Sequence, residues 1–161
     1  MSTQKQIDQV TAIIKVMKKR KLTLATAESI TGGGLASAIT DVAGSSAIFL
    51  GSMVTYSDAS KTKILGIPKR ILTKSTAVSE VVSRQMAESA RTQFGADFAI
   101  ATTGVAGPGK AYGQKAGTVW IAIASKKETM TIELALSGDR DAVRKSTIES
   151  ALACLSRILT P

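Results

Sequence analysis

The sequence predicts an α/β fold: a three-layer α/β/α sandwich around a mixed, mostly parallel sheet. Three observations carry that expectation. Short apolar runs suited to buried strands alternate with stretches whose apolar residues recur at helical spacing. Two of those runs end directly in glycine-rich turns, at 27–34 and 102–109, the way strands enter βα connections. Towards the C-terminus two strand-like runs flank Ser125-Lys126-Lys127-Glu128, a hairpin signal that adds antiparallel strands.

Each element has its own reason. Ile7, Val10, Ile13, Ile14 and Met17 share one helical face, which predicts a first helix ending before Lys21. Leu22 to Ala27 reads as a buried strand, and Leu35-Ala36-Ser37-Ala38-Ile39 as a helix after Gly32. Asp41 to Ser46 reads as a loop and Ala47 to Tyr56 as a second strand. A short helix is expected from near Asp58 to Gly66-Ile67-Pro68, since proline disfavours helix in the residue before it. Ser79 can cap a helix carrying Val82, Met86, Ala90 and Phe94 inward, with Gly95 closing it. Phe98 to Thr102 is a strand, Gly117 to Ala124 and Thr129 to Leu136 form the hairpin, and Asp139 opens a last helix. With 161 residues and no repeat, linker or low-complexity tract, residues 1–161 read as one domain.

Composition narrows the function. No apolar run approaches the ~18–20 residues that span a bilayer, and the polar start at 1–9 lacks a secretory signal. The single cysteine, Cys154, allows no internal disulfide, which fits a reducing, cytoplasmic setting; its neighbours Leu152 and Leu155 mark it as packing. The formal charge of +9 suits an anionic ligand. Nucleic acid is the weaker reading of that charge: the basic residues are dispersed outside Lys18-Lys19-Arg20-Lys21, and few aromatics are present to stack bases. There is no histidine. That excludes Ser-His-Asp and Cys-His catalysis and any histidine-ligated metal, so a nucleophile here needs lysine, tyrosine, a carboxylate or the chain terminus to activate it.

Candidate residues gather at the two glycine turns. Ser29 stands where a strand gives way to Gly32-Gly33-Gly34 and a helix, so free helical N–H groups there suit a developing oxyanion. A capped βα turn is the plainer reading of the same residues. If the strands are parallel, both turns open on one edge of the sheet, where ligands of such folds sit. Tyr56-Ser57-Asp58-Ala59-Ser60-Lys61 leaves the second strand towards that edge. A lysine desolvated beside Ser29 becomes a usable base, with Tyr56 to relay a proton or hydrogen-bond the serine. Spacing alone leaves Lys61 and Lys63 both open. Ser60 to Lys63 and Ser2 to Lys5 match Ser-x-x-Lys only by chance. Glu28 should point away from Ser29 and orient the turn. Gly104 to Lys110 has the spacing of a phosphate-binding loop, but Ala111 replaces its Ser/Thr and Tyr112-Gly113 argues against a following helix. Backbone amides and Lys110 can still cradle a phosphate, and Arg140 can pair with a phosphate or a carboxylate.

Four motifs occur in order over about 23–159: Ala27-Glu28-Ser29-x-Thr31-Gly32-Gly33, Tyr56-Ser57-x-x-x-Lys61, Ala77-Val78-Ser79 and Thr103-Gly104-x-Ala106-Gly107-Pro108-Gly109. In this set and order the chain resembles the CinA C-terminal domain family, the nicotinamide mononucleotide deamidases. The resemblance implies an α/β/α sandwich, a homodimer or larger homo-oligomer, and the stand-alone form without the N-terminal competence-protein domain. It implies hydrolysis of the carboxamide of nicotinamide mononucleotide to nicotinic acid mononucleotide and ammonia, in pyridine nucleotide recycling. Ser29 then resembles the nucleophile, and Lys61 and Tyr56 its activating partners. Thr31, Gly32 and Gly33, with Thr103, Gly104, Gly107, Gly109 and Arg140, fall at the substrate. No metal or organic cofactor is required. Ile30 replaces a cysteine common in relatives, and Lys110 to Ala116 is more basic than expected, with Ala116 where proline is common. A nucleotide-binding module without catalysis, using Gly104–Lys110, is the alternative.

Overall fold

The computed structural model describes residues 2–160, leaving Met1 and Pro161 outside the description. The chain runs α1 (Gln4–Arg20), β1 (Leu24–Glu28), α2 (Gly34–Thr40), β2 (Phe49–Val54), α3 (Asp58–Leu65) and α4 (Lys69–Ser75). It continues with α5 (Glu80–Phe94), β3 (Phe98–Gly104), β4 (Thr118–Ala124), β5 (Thr129–Ala135) and α6 (Arg140–Leu159). The five strands lie in the order β2-β1-β3-β4-β5. β1 is parallel to both β2 and β3, whereas β4 and β5 are antiparallel additions. The sheet is thus mixed, as the strand-and-hairpin pattern predicts. Its parallel part brings the ends of β1, β2 and β3 to one edge.

The two faces of the sheet have different chemistry. Strand alternation sends Leu24, Ile100, Ile121 and Ile123 to the side packed by α1, α2 and α6. The other side is a floor of Ala25, Ala27, Ala99, Ala101, Ala122 and Ala124 under Val82, Met86, Ala87 and Ala90 of α5. Such small side chains let α5 lie close to the strands. They also explain how a core forms with only 4% aromatic residues.

Local signals place most boundaries. Ser79 caps α5 through Val82 N–H, Asp139 caps α6 through Ala142 N–H, and Gly95 ends α5 in the left-handed conformation. Several elements differ from expectation. The first helix starts earlier than Ile7 because Thr3 and Gln6 form a capping box, which makes Ser2 to Lys5 a helix start. β2 is shorter than 47–56: a 3₁₀ turn takes Ser45–Ala47, and the chain leaves the ladder after Val54. The helix from Asp58 closes at Gly66, within the expected Gly66-Ile67-Pro68 stop, and Pro68 then precedes the unanticipated α4 as its N-cap residue. Among the described residues no helix is long and apolar enough to cross a membrane.

The most demanding backbone position is Gly117, where the chain enters β4. Its φ is +90°, and a Cβ there would lie 1.8 Å from Leu136 O. Gly117 also donates to Val105 O and accepts from Leu136 N–H, tying the loop after β3 to the end of β5. Gly117→Ala is expected to destabilise the fold by at least ~3 kcal/mol, combining backbone strain with a backbone clash. Chemical denaturation of both proteins measures it.

Candidate active site

The site is built at the turn after β1. Glu28 and Ser29 leave opposite sides of the strand. Glu28 is fully buried, and its carboxylate accepts from Gly33, Leu35 and Ala36 N–H at 3.0, 3.0 and 2.8 Å. The Thr31 and Ser52 hydroxyls also donate to it, at 2.7 and 3.2 Å. It therefore caps α2 from a distance, replacing the side chain that the N-cap residue Gly33 lacks. Arg144 braces the same turn from α6, donating to Ile30 O and Thr31 O.

On the other side of β1, Ser29 Oγ lies 2.9 Å from Lys61 Nζ. The same ammonium nitrogen donates to Thr55 O at 2.8 Å. Ser57 starts α3 with a capping box, which sets the helix phase so that Lys61 and Leu65 point inward while Lys63 faces solvent. Lys61 is only 1% exposed. Burial pulls its pKa below the ordinary 10.5, while the nearby Asp58 carboxylate opposes the shift. The pair is thus a hydroxyl held against an amine predisposed to lose its proton.

Ser29 opens onto a cavity of about 270 Å³ bordered by Ile30, Tyr56, Ala77, Val78, the 103–108 loop, Ala111, Tyr112 and Arg140. Thr103, Gly104, Gly107 and Arg140 are on the cavity wall. Thr103 itself is held by a bond from its hydroxyl to Ala77 O. Arg140 donates to Gly107 O and to Tyr56 Oη, both at 2.8 Å. Tyr56 is therefore a wall residue paired with Arg140; its hydroxyl bonds that guanidinium rather than Ser29 or Lys61.

Several expected residues stand outside the cavity wall. The Thr31 hydroxyl is engaged with Glu28 and Thr102. Gly33 N–H is taken by Glu28, and Gly32 N–H donates to Ser29 O. The anticipated oxyanion donors at the start of α2 are thus already committed, because a buried carboxylate occupies that helix end. Gly109 lies beyond Pro108, past the lining residues. Lys110 is exposed and also off the wall.

Two contributors escaped the sequence reading. Arg144 carries no local signal, lying far along the chain from the turn it braces. Tyr112 had one: the glycine that follows it, Gly113, marks a turn. Ala111 and Gln114 exchange both backbone hydrogen bonds, with Tyr112 at φ +53° and Gly113 at φ +73° between them, a type I′ hairpin. A tyrosine is poorly suited to that left-handed position, yet its ring borders the cavity. Burial and the nearby Asp58 and Tyr56 push its phenol pKa up. Cys154 lies half-buried on α6, and burial raises its thiol pKa. Among the described residues no three His, Cys, Asp or Glu side chains gather to hold a metal.

The fold and this corner define a three-layer α/β domain with a buried serine–lysine pair at the carboxyl ends of its parallel strands. Residues 7–159 match the CinA C-terminal domain model. The chain belongs to the CinA C-terminal domain family. A CinA-like protein of Geobacter sulfurreducens is 44% identical over 150 residues, covering 92% of this chain and 36% of the relative. A putative competence-damage inducible protein of Thermoanaerobacter sp. strain X514 is 43% identical over 148 residues, covering 91% and 36%. The chain therefore spans about a third of the length of these curated relatives. Among solved structures, the competence/damage inducible protein CihA of Agrobacterium tumefaciens superposes with a TM-score of 0.95 at 33% identity, covering 100% of this chain and 99% of that one. The competence damage-inducible protein A of Klebsiella pneumoniae gives 0.92 at 35% identity, covering 94% and 95%.

Two stability outcomes follow from the geometry. Because the folded pKa of Lys61 is lowered, the unfolded chain binds more protons than the folded one between that pKa and 10.5. Folding stability from this group therefore rises with pH across that window. Lys61→Met should lack the rise, so wild type gains stability relative to the variant as denaturation curves are taken up to pH 10.5. Replacing Tyr112 by glycine relieves a left-handed side chain and should stabilise the fold by roughly 0.5–1 kcal/mol. Thermal unfolding tests this, and a lower midpoint would show that the ring contributes more packing than its backbone costs.

Proposed function

We propose that this domain is an amidohydrolase that converts nicotinamide mononucleotide to nicotinic acid mononucleotide and ammonia. The observation carrying the proposal is the 2.9 Å contact between Ser29 Oγ and the buried amine of Lys61, with Ser29 opening onto the cavity. A desolvated lysine suits the role that histidine fills elsewhere, and this chain contains no histidine. The family resemblance supplies the substrate. A positively charged chain with Arg140 on the cavity wall suits a phosphorylated ligand.

In the proposed reaction the neutral Lys61 amine keeps one N–H on Thr55 O and accepts the Ser29 proton through its lone pair. Ser29 Oγ adds to the carboxamide carbon, giving a tetrahedral oxyanion. We assign the oxyanion donors to backbone N–H groups at Ile30 and at Ala106–Gly107, which border the cavity, because Gly32 and Gly33 are committed elsewhere. Lys61 returns the proton to the departing nitrogen, and ammonia leaves an acyl-Ser29. Water, deprotonated by the same amine, then releases the acid and restores Ser29 O–H. Tyr56 and Arg140 act at the wall, the phenol accepting from the guanidinium and keeping its own O–H for the substrate.

Ammonia release from nicotinamide mononucleotide is the test. Ser29→Ala and Lys61→Met should each lower kcat at least ~10³-fold while substrate still binds. In wild type kcat should rise with pH through the lowered Lys61 pKa and level off below 10.5. Full turnover in Ser29→Ala would overturn the nucleophile. Saturable nucleotide binding without any ammonia from wild type would make the domain a binding module.

A further inference from the structure

Both tyrosines of the chain, Tyr56 and Tyr112, border the cavity that Ser29 opens onto, in a protein with only 4% aromatic residues. They reach it from unrelated places. Tyr56 follows the end of β2, whereas Tyr112 sits in the hairpin turn at 111–114. They are 58% and 46% exposed, so neither is consumed by packing against the chain. The proposed reaction uses Tyr56 and gives Tyr112 no part.

Tyr112 occupies a position that its side chain disfavours. Type I′ turns take Asn, Asp or Gly at the first central residue because φ is positive there, and Tyr112 stands at φ +53°. The turn is nonetheless firmly seated. Ala111 and Gln114 bond each other twice, Gly117 N–H bonds Val105 O, and a Cβ on Gly107 would lie 3.1 Å from the Ala116 methyl. The hairpin thus rests on the 103–108 loop and carries a strained side chain to a fixed place at the cavity rim, where strain marks function.

Charge at the cavity is a second, separate observation. Among the described residues that border it, Arg140 is the one charged side chain, and it is a cation. No carboxylate on the wall can receive a positively charged group, but the negative face of a phenol ring can. Burial, then the nearby Asp58 and Tyr56, keep the Tyr112 phenol protonated, so its ring presents a neutral, electron-rich face.

We infer that Tyr112 is a specificity-determining residue whose ring face receives the flat, cationic pyridinium of the substrate, with Tyr56 as the second aromatic wall; the assignment rests on nicotinamide mononucleotide as that substrate. The nucleotide carries charge of both signs. Arg140 suits its phosphate, and the tyrosine suits its ring. Stacking keeps the ring in place while Ser29 adds to the carboxamide, and it selects on charge and planarity together. The 1,4-dihydro form of the nucleotide has the same ribose, phosphate and carboxamide but a neutral, non-aromatic ring, so it lacks this contact alone. The need for a ring at the rim is the reason for a tyrosine where the backbone favours glycine.

Calorimetric titration of Ser29→Ala, which binds without turning over, tests this with two probes: nicotinamide mononucleotide and its 1,4-dihydro form. The oxidised nucleotide should bind roughly tenfold more tightly than the reduced one. Adding Tyr112→Gly should bring the two within about twofold, whereas adding Tyr112→Phe should keep the preference. In the enzyme with Ser29 intact, Tyr112→Gly should raise KM for nicotinamide mononucleotide about tenfold and change kcat less than about twofold, a split that a folding defect would not give. Equal binding of the two nucleotides by Ser29→Ala, or a preference that survives Tyr112→Gly, would overturn the inference while ammonia release by wild type kept the amidase standing. A preference that depends on Tyr112, without ammonia from wild type, would remove the hydrolysis and uphold the ring contact. Binding of neither nucleotide would overturn both.

Discussion

The carboxylate of Glu28 organises the corner where β1 gives way to α2. Three main-chain N–H groups and three hydroxyls converge on it from β1, β2, the turn and α2. Each of those donors is buried or partly buried and would otherwise lose hydrogen bonding to water, at about 1–3 kcal/mol per unsatisfied group. The turn wraps around the carboxylate, and Ser29 is consequently directed to the far side of the strand. There its partners come from a different part of the chain, the Thr55 carbonyl and the Lys61 amine. A negative charge under one face of the turn and a desolvated amine under the other give the hydroxyl a single well-defined setting.

The unequal faces of the sheet serve the same end. The alanine floor keeps α5 close, and its cluster includes Leu65, one turn from Lys61 on α3. An aliphatic surround of this kind gives an ammonium no compensation beyond Asp58 and the bonds to Thr55 and Ser29. Bulkier residues and three helices fill the opposite face, where Arg144 is anchored and braces the turn. Packing and chemistry are therefore not separable at this position.

Much of this was readable in the sequence, for local reasons. Caps at Ser79 and Asp139, the closing Gly95 and the alternation of strands each act within a few residues. Ser29 and Lys61 could be named from their motifs, but choosing Lys61 over Lys63 required the phase of α3. The signal was there in the i, i+4 pairing of Lys61 with Leu65 on one face of a helix capped by Ser57. What could not be read depends on distance in the chain. Nothing near Gly33 says that its helix will be capped by Glu28, so the amides of Gly32 and Gly33 looked free. Nothing near Tyr56 says that its hydroxyl will be held by Arg140, 84 positions away. The 3₁₀ turn at Ser45 and the bulge at Leu50 likewise arise from how β2 meets β1.

The burial of Lys61 also determines how the site meets electrophiles. The chain carries many lysines, but this one lies behind Ser29 and has almost no surface of its own. An acylating or phosphonylating reagent that enters the cavity therefore meets oxygen before nitrogen. Amine-directed labels will decorate the periphery and leave the buried Lys61 amine untouched. A covalent probe shaped to the cavity can report on Ser29 alone, its reactivity set by a neighbour that the probe never touches.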